Sequence, residues 1–498
     1  MSFTSSSFLI FFPVVTALYF IIPRRFKRTW LLLASYYFYS SWNPKYSIML
    51  ATATLITYSC GLLLGRAGKN NNGNQKLRKK LWLVIGISAN VLMLAFFKYF
   101  DFALNSLSGI LSFIGISFIT PEFDILLPVG ISFYTLQAVG YIIDVYRGES
   151  ASEKNLLSFS LYMSFFPQLI SGPIPRSGVL LRQISENRDC DSFDYNRVKR
   201  GLLLMLWGIF QKLVIADRLG ILVNQVFDNY ANYAGFEIVI AAVFFAFQLY
   251  CDFGGYSNIA IGAAGVLGFN IPENFKQPYF SLSVKEFWRR WHISLSTWLR
   301  DYLYIPLGGN RKGKLRKHFN TMLTFLVSGL WHGASWHYVA WGGLHGLYLV
   351  LEDVLKPVGQ FLRKLFKVNT ACWSFRFFRG LLTFVLVDFA WIFFRANGTL
   401  TAFRILKNMI SDFNPWIFFN GSIFKLGLDQ KDFVVVLVAL LIVIIVDWMH
   451  EKGSVRDKLA SRNLPFRWLT YFGVIFAILI FGVYGPGYDA LSFFYFQF

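Results

Sequence analysis

Charge is what this chain has little of. Only 15% of its 498 residues are Asp, Glu, Lys or Arg, against about 25% in soluble domains. Hydrophobic residues make up 55% and aromatic residues 19%, which excludes an ordinary water-soluble protein. Cysteine is scarce as well: Cys60, Cys190, Cys251 and Cys372 show neither metal spacing nor a pairing pattern, so no disulfide framework organises the fold. No HExxH helix, Cys/His cluster or GxSxG elbow is present, and without them zinc-hydrolase and serine-hydrolase chemistry have no sequence support. His332 and His337 stand five positions apart, about 140° round a helix and poorly placed for one ion, so no metal is expected. There is no internal repeat and no soluble domain.

What the chain has instead is a succession of continuous apolar blocks. A bilayer is crossed by about 20 such residues, and lipid offers backbone groups no partner, so spanning segments are helices or a closed barrel. The blocks are continuous rather than alternating, which selects helices. The expected fold class is all-α: a polytopic membrane bundle of about ten to twelve spans, with re-entrant and interfacial helices, forming one domain over residues 1–498.

The net charge of +21 raises nucleic acid as a partner, but Lys and Arg fall in loops between apolar blocks, as the positive-inside rule requires. Membrane lipid is the partner they imply; nucleic acid is not expected. Residues 8–22 form the first span. The preceding MSFTSSS is uncharged and Arg24, Arg25, Lys27 and Arg28 follow, which is the reverse of a cleaved signal peptide and puts the N-terminus outside. Basic loops at 66–80, 308–318 and 356–379, with Lys452, Arg456, Lys458, Arg462 and Arg467, then fall in the cytoplasm. Crossings at 380–394, 433–447 and 466–484 leave the C-terminus outside too, so the number of crossings is even. Pro128, Gly130 and Gly140 interrupt one apolar run and Pro167 with 171–175 another, which fits broken or re-entrant helices inside protein. Blocks at 201–216, 237–251 and 254–269 follow.

The stretch 287–346 carries the chemistry. Placed on a helix at 100° per residue, Trp288, Trp291, Leu295, Trp298, Leu299 and Tyr302 share one apolar arc. Arg289, His292, Ser296 and Arg300 form an adjacent polar stripe. Such a helix lies at an interface, its cations either on headgroup phosphates or facing a polar cavity; in the second case Arg289 and Arg300 hold the anionic part of a substrate. His332 lies in a nearly uncharged run between Trp331 and Gly333. Ionisable groups at membrane depth are usually functional, and histidine is the commonest general base; a hydrogen-bonded packing histidine is the alternative. Asp144, Asp252, Asp388 and Asp447 also lie in apolar settings. Structural roles are expected for them: a pairing with Arg147 or a loop for Asp144, buried arginines or helix ends for the others.

Six segments together carry a family resemblance. PVGISFYTLQAVGYIIDVYRG (128–148), FFPQLISGPIPR (165–176), YCDFGGYSNIAIG (250–262), LGFNIPENFKQPY (267–279), FWRRWHISLSTWLRDYLYIPLGGNRKG (287–313) and SGLWHGASWHYVAWGGLHG (328–346) resemble the membrane-bound O-acyltransferase family. The resemblance is to its bacterial branch of alginate O-acetyltransferase membrane subunits, beside a sister branch that transfers D-alanine to teichoic acids. It implies a bowl-like bundle with a tunnel joining a cytoplasmic donor to an outward acceptor. It further implies acetyl-CoA, or another acyl thioester, as a donor substrate rather than a resident cofactor. His332 matches the essential histidine, and His292 its companion that positions or polarises the thioester carbonyl. The acceptor implied is an extracellular or cell-wall polysaccharide, reached through an SGNH-hydrolase-like partner outside the cell. The chain ends SFFYFQF, and in such systems an ending of this kind implies that Tyr495 carries the acyl group; the alternative is an interfacial aromatic anchor. Left open are D-alanyl or other acyl transfer to a surface polymer or lipid, and a polysaccharide exporter with no chemistry.

Overall fold

A computed structural model describes residues 1–67, 73–116, 127–186 and 193–484, and among these every regular element is a helix. Among the described residues, six helices are long and apolar enough to cross a bilayer: Pro44–Ala67, Asn74–Phe113, Phe236–Val266, Trp373–Arg395, Gln430–Glu451 and Leu464–Phe481; Ser6–Ile21 is apolar but shorter. The protein is therefore an all-α, multi-pass membrane protein. Leu464–Phe481 shows what lipid contact does to a helix: its most apolar window is only 6% buried in protein, and Leu469, Phe476 and Ile480 project outward.

By packing, the chain forms two compact units, Met1–Leu204 with Ala260–Pro272, and Met205–Ile259 with Glu273–Phe498. In the first, the helix Ile131–Arg147 is buried along almost its whole length. Gly140 lies inside this helix without breaking it, so the interruption expected there does not occur; its propensity cost, about 1 kcal/mol, is small beside the burial on either side. Asp144 accepts from Ser177 Oγ at 2.6 Å, a hydroxyl on another helix. The break around Pro167 is present: one turn, Phe166–Leu169, precedes an irregular segment that ends where Ser177–Glu186 begins.

The apolar blocks that read as 237–251 and 254–269 belong to one 31-residue helix, Phe236–Val266, of which the residues up to Ile259 fall in the second unit. Gly255 does not end it. A Cβ on Gly208 would lie 2.4 Å from the Gly255 carbonyl oxygen, and one on Gly255 2.7 Å from that of Gly208. The two glycines are there to let backbones touch, as small residues do between membrane helices. Beside them Gln211–Ala216 is π-helical, and Lys212 from this stretch reaches both Asp217 and Asp252, 2.7 Å from each. Asp252 is thus held by a lysine rather than an arginine. Asp447 accepts from Tyr250 Oη at 2.9 Å.

The expected hairpin is formed by Gly313–His332 and Trp336–Leu365. Its arms meet at Gly342, where a Cβ would stand 2.2 Å from the Phe325 carbonyl oxygen. Trp373–Arg395 packs behind the second arm, Trp391 stacking on Trp341 with ring centroids 5.6 Å apart.

Candidate active site

The amphipathic stretch is not one helix. Ser283 caps a first helix, Val284–Arg290, accepting from Glu286 N at 3.1 Å, a cap of the Ser-x-x-Glu type. That helix stops, His292 takes the left-handed conformation (φ 43°, ψ 53°), and a second helix, Ile293–Leu299, runs into the π-helical turn Arg300–Tyr304. The break is made by another segment. Lys276 N donates to the Arg290 carbonyl and Ile293 N to the Asn274 carbonyl, both at 2.9 Å, so residues 274–276 bond both lips of the gap. The continuous polar stripe expected from the 3.6-residue period is therefore not formed. His292 turns inward and is fully buried, while Arg289 and Arg300 stay exposed. A left-handed histidine costs on the order of 1 kcal/mol, a strain of the kind held at functional sites.

Asn274 fixes the His292 ring. Its Oδ1 lies 3.3 Å from His292 Nδ1 and accepts from Ser294 Oγ at 2.7 Å, while its Nδ2 donates to Ser257 Oγ at 3.2 Å. An amide oxygen only accepts, so His292 Nδ1 carries the proton and Nε2 the lone pair. Burial, and after it the nearby His332, pushes His292 well below the ordinary histidine value, so the ring is neutral. Sequence reading did not single out Asn274, although it lies within the LGFNIPENFKQPY segment; nothing in helical periodicity marks it.

His332 is the last residue of its helix and 3% exposed. Its Nδ1 donates to the Ser328 carbonyl at 2.7 Å, which again puts the lone pair on Nε2. The structure brings the two histidines together: ring centroids are 6.3 Å apart, with Trp341 4.8 Å and Phe394 5.6 Å from His332. His337 and His345 have different tasks. His337 bonds through Nδ1 to the Phe393 carbonyl at 3.0 Å, tying two helices. His345 accepts from Trp288 Nε1 at 3.2 Å. Among the described residues, no three His, Cys, Asp or Glu side chains converge as a metal site would require.

A cavity of about 250 Å³ lies beside the helix that carries His332, and neither histidine of the pair lines it. Lys285, Arg289 and Arg300 contribute its cations, and Trp288, Phe325 and Ser328 form part of its wall. Both arginines singled out in the sequence thus line one space, together with Lys285, which was not. Arg300 is also paired with Asp301, 2.7 Å away. Ser328 is the residue whose carbonyl holds His332. The Nε2 lone pair of His332 is able to accept a proton, and the cavity beside its helix carries three cations and aromatic wall residues. Tyr495 lies outside the described residues.

Residues 149–386 of this helical membrane protein match the model of the membrane-bound O-acyltransferase family. The chain belongs to that family and is an O-acyltransferase. Over 418 residues it is 39% identical to a probable alginate O-acetylase AlgI of Pseudomonas syringae pv. tomato, covering 84% of this chain and 76% of the relative. A peptidoglycan O-acetyltransferase of Helicobacter pylori is 35% identical over 432 residues, 80% of this chain and 78% of the relative. A teichoic acid D-alanyltransferase of Streptococcus thermophilus is 33% identical over 236 residues, 45% and 56% of the two chains. Membership of an enzyme family sets aside the exporter.

Proposed function

We propose that this enzyme takes an acetyl group from acetyl-CoA on the cytoplasmic side and passes it outward for O-acetylation of an extracellular or cell-wall polysaccharide. The observation that carries the reading is the shared wall: Ser328 lines the cavity of Lys285, Arg289 and Arg300 and also holds His332 through its carbonyl. In this reading the cations hold the anionic part of the thioester donor. His332 removes the proton of the attacking hydroxyl, and His292, set by Asn274, positions the reacting groups from the opposite side. Moving only the acyl group spares the enzyme from carrying a highly charged nucleotide through lipid.

The receiving hydroxyl is that of Tyr495 or of the acceptor itself, and an SGNH-hydrolase-like partner completes delivery, both chain ends lying outside. Two acetyl-transferring relatives, named for alginate and peptidoglycan, support the acetyl group. The D-alanyltransferase relative favours a second reading, D-alanyl transfer to a surface polymer. Proteoliposomes loaded with labelled acetyl-CoA separate the two. Acetyl label reaching protein or glycan from the inside supports acetyl transfer; transfer only from a D-alanyl thioester overturns it.

A further inference from the structure

Acyl transfer asks two things of a site: a base for the nucleophile, and a hydrogen-bond donor for the carbonyl oxygen, which takes up charge in the tetrahedral intermediate. His332 meets the first. Neither histidine of the pair meets the second, because each Nδ1–H is committed, one to Ser328 and one to Asn274, and each Nε2 accepts. The donor has to come from another group, a side chain or a backbone N–H.

Three buried ring N–H groups stand close by. Among the described residues, Trp341 Nε1 and Trp391 Nε1 have no hydrogen-bond partner, nor has His345 Nε2. The His345 nitrogen carries a proton, because Nδ1 accepts from the Trp288 indole, which only donates. Orphaned buried donors are rare in folded proteins, and each calls for an explanation. Of the three, Trp341 has its ring against His332, at 4.8 Å and 72°, and is fully buried. Trp391 and His345 pack on Trp341, with centroids 5.6 and 5.1 Å away, and the backbone contact at Gly342 pins the helix that bears it. The indole is thus held rigidly beside the base, with its donor uncommitted.

We infer that Trp341 is a catalytic residue whose Nε1–H holds the thioester oxygen as it becomes negative. The inference rests on His332 being the base. A hydroxyl oxygen attacks the thioester carbonyl carbon while its proton passes to His332 Nε2, and the carbonyl π pair moves onto oxygen, where Trp341 donates to it. The pair then returns, the C–S bond breaks, and the leaving thiolate recovers the proton from His332 to depart as the thiol.

The test replaces Trp341 in the full-length enzyme with β-(3-benzothienyl)alanine, which keeps the ring shape and exchanges the N–H for sulfur. Trp341→Phe and His332→Ala are measured beside it, with acetyl-CoA as donor. Loss of one such donor lowers kcat about 10²-fold, and KM for acetyl-CoA stays within about twofold because the ground state did not use the bond. A benzothienyl enzyme with undiminished kcat, or one altered only in KM, overturns the inference. An inert His332→Ala beside a fully active benzothienyl variant sinks this inference alone. An active His332→Ala instead removes the base reading beneath it.

Discussion

His332 and Ser328 are joined by one hydrogen bond, Nδ1–H to carbonyl oxygen, 2.7 Å long and spanning a single helical turn. Ser328 is also a wall residue of the cavity that contains Lys285, Arg289 and Arg300. The His332 ring and part of the proposed donor cavity therefore belong to one helix, and the ring's tautomer is set by backbone rather than by a neighbouring side chain. A substitution of the Ser328 hydroxyl leaves that bond in place.

In the proposed function the cations act on donor binding. Arg289→Gln and Arg300→Gln each raise KM for the thioester, by about tenfold where a charge-assisted hydrogen bond is lost, with kcat little changed. The Arg300 effect is the smaller, since Asp301 already neutralises part of its charge. Steady-state kinetics at two ionic strengths checks this: added salt narrows the gap between variant and parent.

Asn274 acts through His292. Asn274→Leu removes the acceptor for His292 Nδ1–H and Ser294 Oγ, and costs about 1–3 kcal/mol of stability for the buried groups left without it, with a matching fall in kcat. Asn274→Asp keeps an acceptor in place and retains more activity. Equal kcat in the two variants would show that the His292 tautomer is immaterial.

Much of this architecture was legible in the sequence because lipid imposes long apolar helices, and Trp373–Arg395, Gln430–Glu451 and Leu464–Phe481 lie where their apolar runs put them. The hairpin carrying His332 was legible for the same reason, with WHGAS at its turn. The break at His292 was not. It depends on residues 274–276, and a one-dimensional period holds no record of which segment bonds to which. Likewise Gly254 and Gly255 look like a helix end in isolation, although Gly255 serves a backbone-to-backbone crossing at Gly208. Nothing in the sequence singles out Trp341; what distinguishes it is an N–H without a partner among the described residues, beside His332.

Lys212 holds together a polar point in the second unit's interior. It lies between two buried carboxylates, Asp217 and Asp252, and Lys212→Met takes away the cation they share. Removing one partner of such a buried group costs about 3–5 kcal/mol. Thermal unfolding of the purified protein shows the loss, and adding Asp252→Asn restores part of it.

At the start of the hairpin, Asp353 accepts from Lys317 Nζ at 2.6 Å and from His318 Nε2 at 2.9 Å. These two bonds hold its carboxyl at about 2, below the ordinary 3.8. A lowered folded-state value adds stability above 3.8 and loses it as pH falls toward about 2. The group is largely exposed, so Asp353→Asn costs less than about 1 kcal/mol near neutrality. That difference shrinks in acid, which unfolding midpoints measured across this range will show.

The most direct measurement is the single-turnover rate of acyl transfer from labelled acetyl-CoA by the purified full-length enzyme and by His332→Ala. Loss of the base slows transfer about 10²–10⁴-fold, with donor binding unchanged because the cavity cations remain. Transfer by His332→Ala at the parent rate would contradict His332 as the base, and with it the proton path from hydroxyl to imidazole to leaving thiolate.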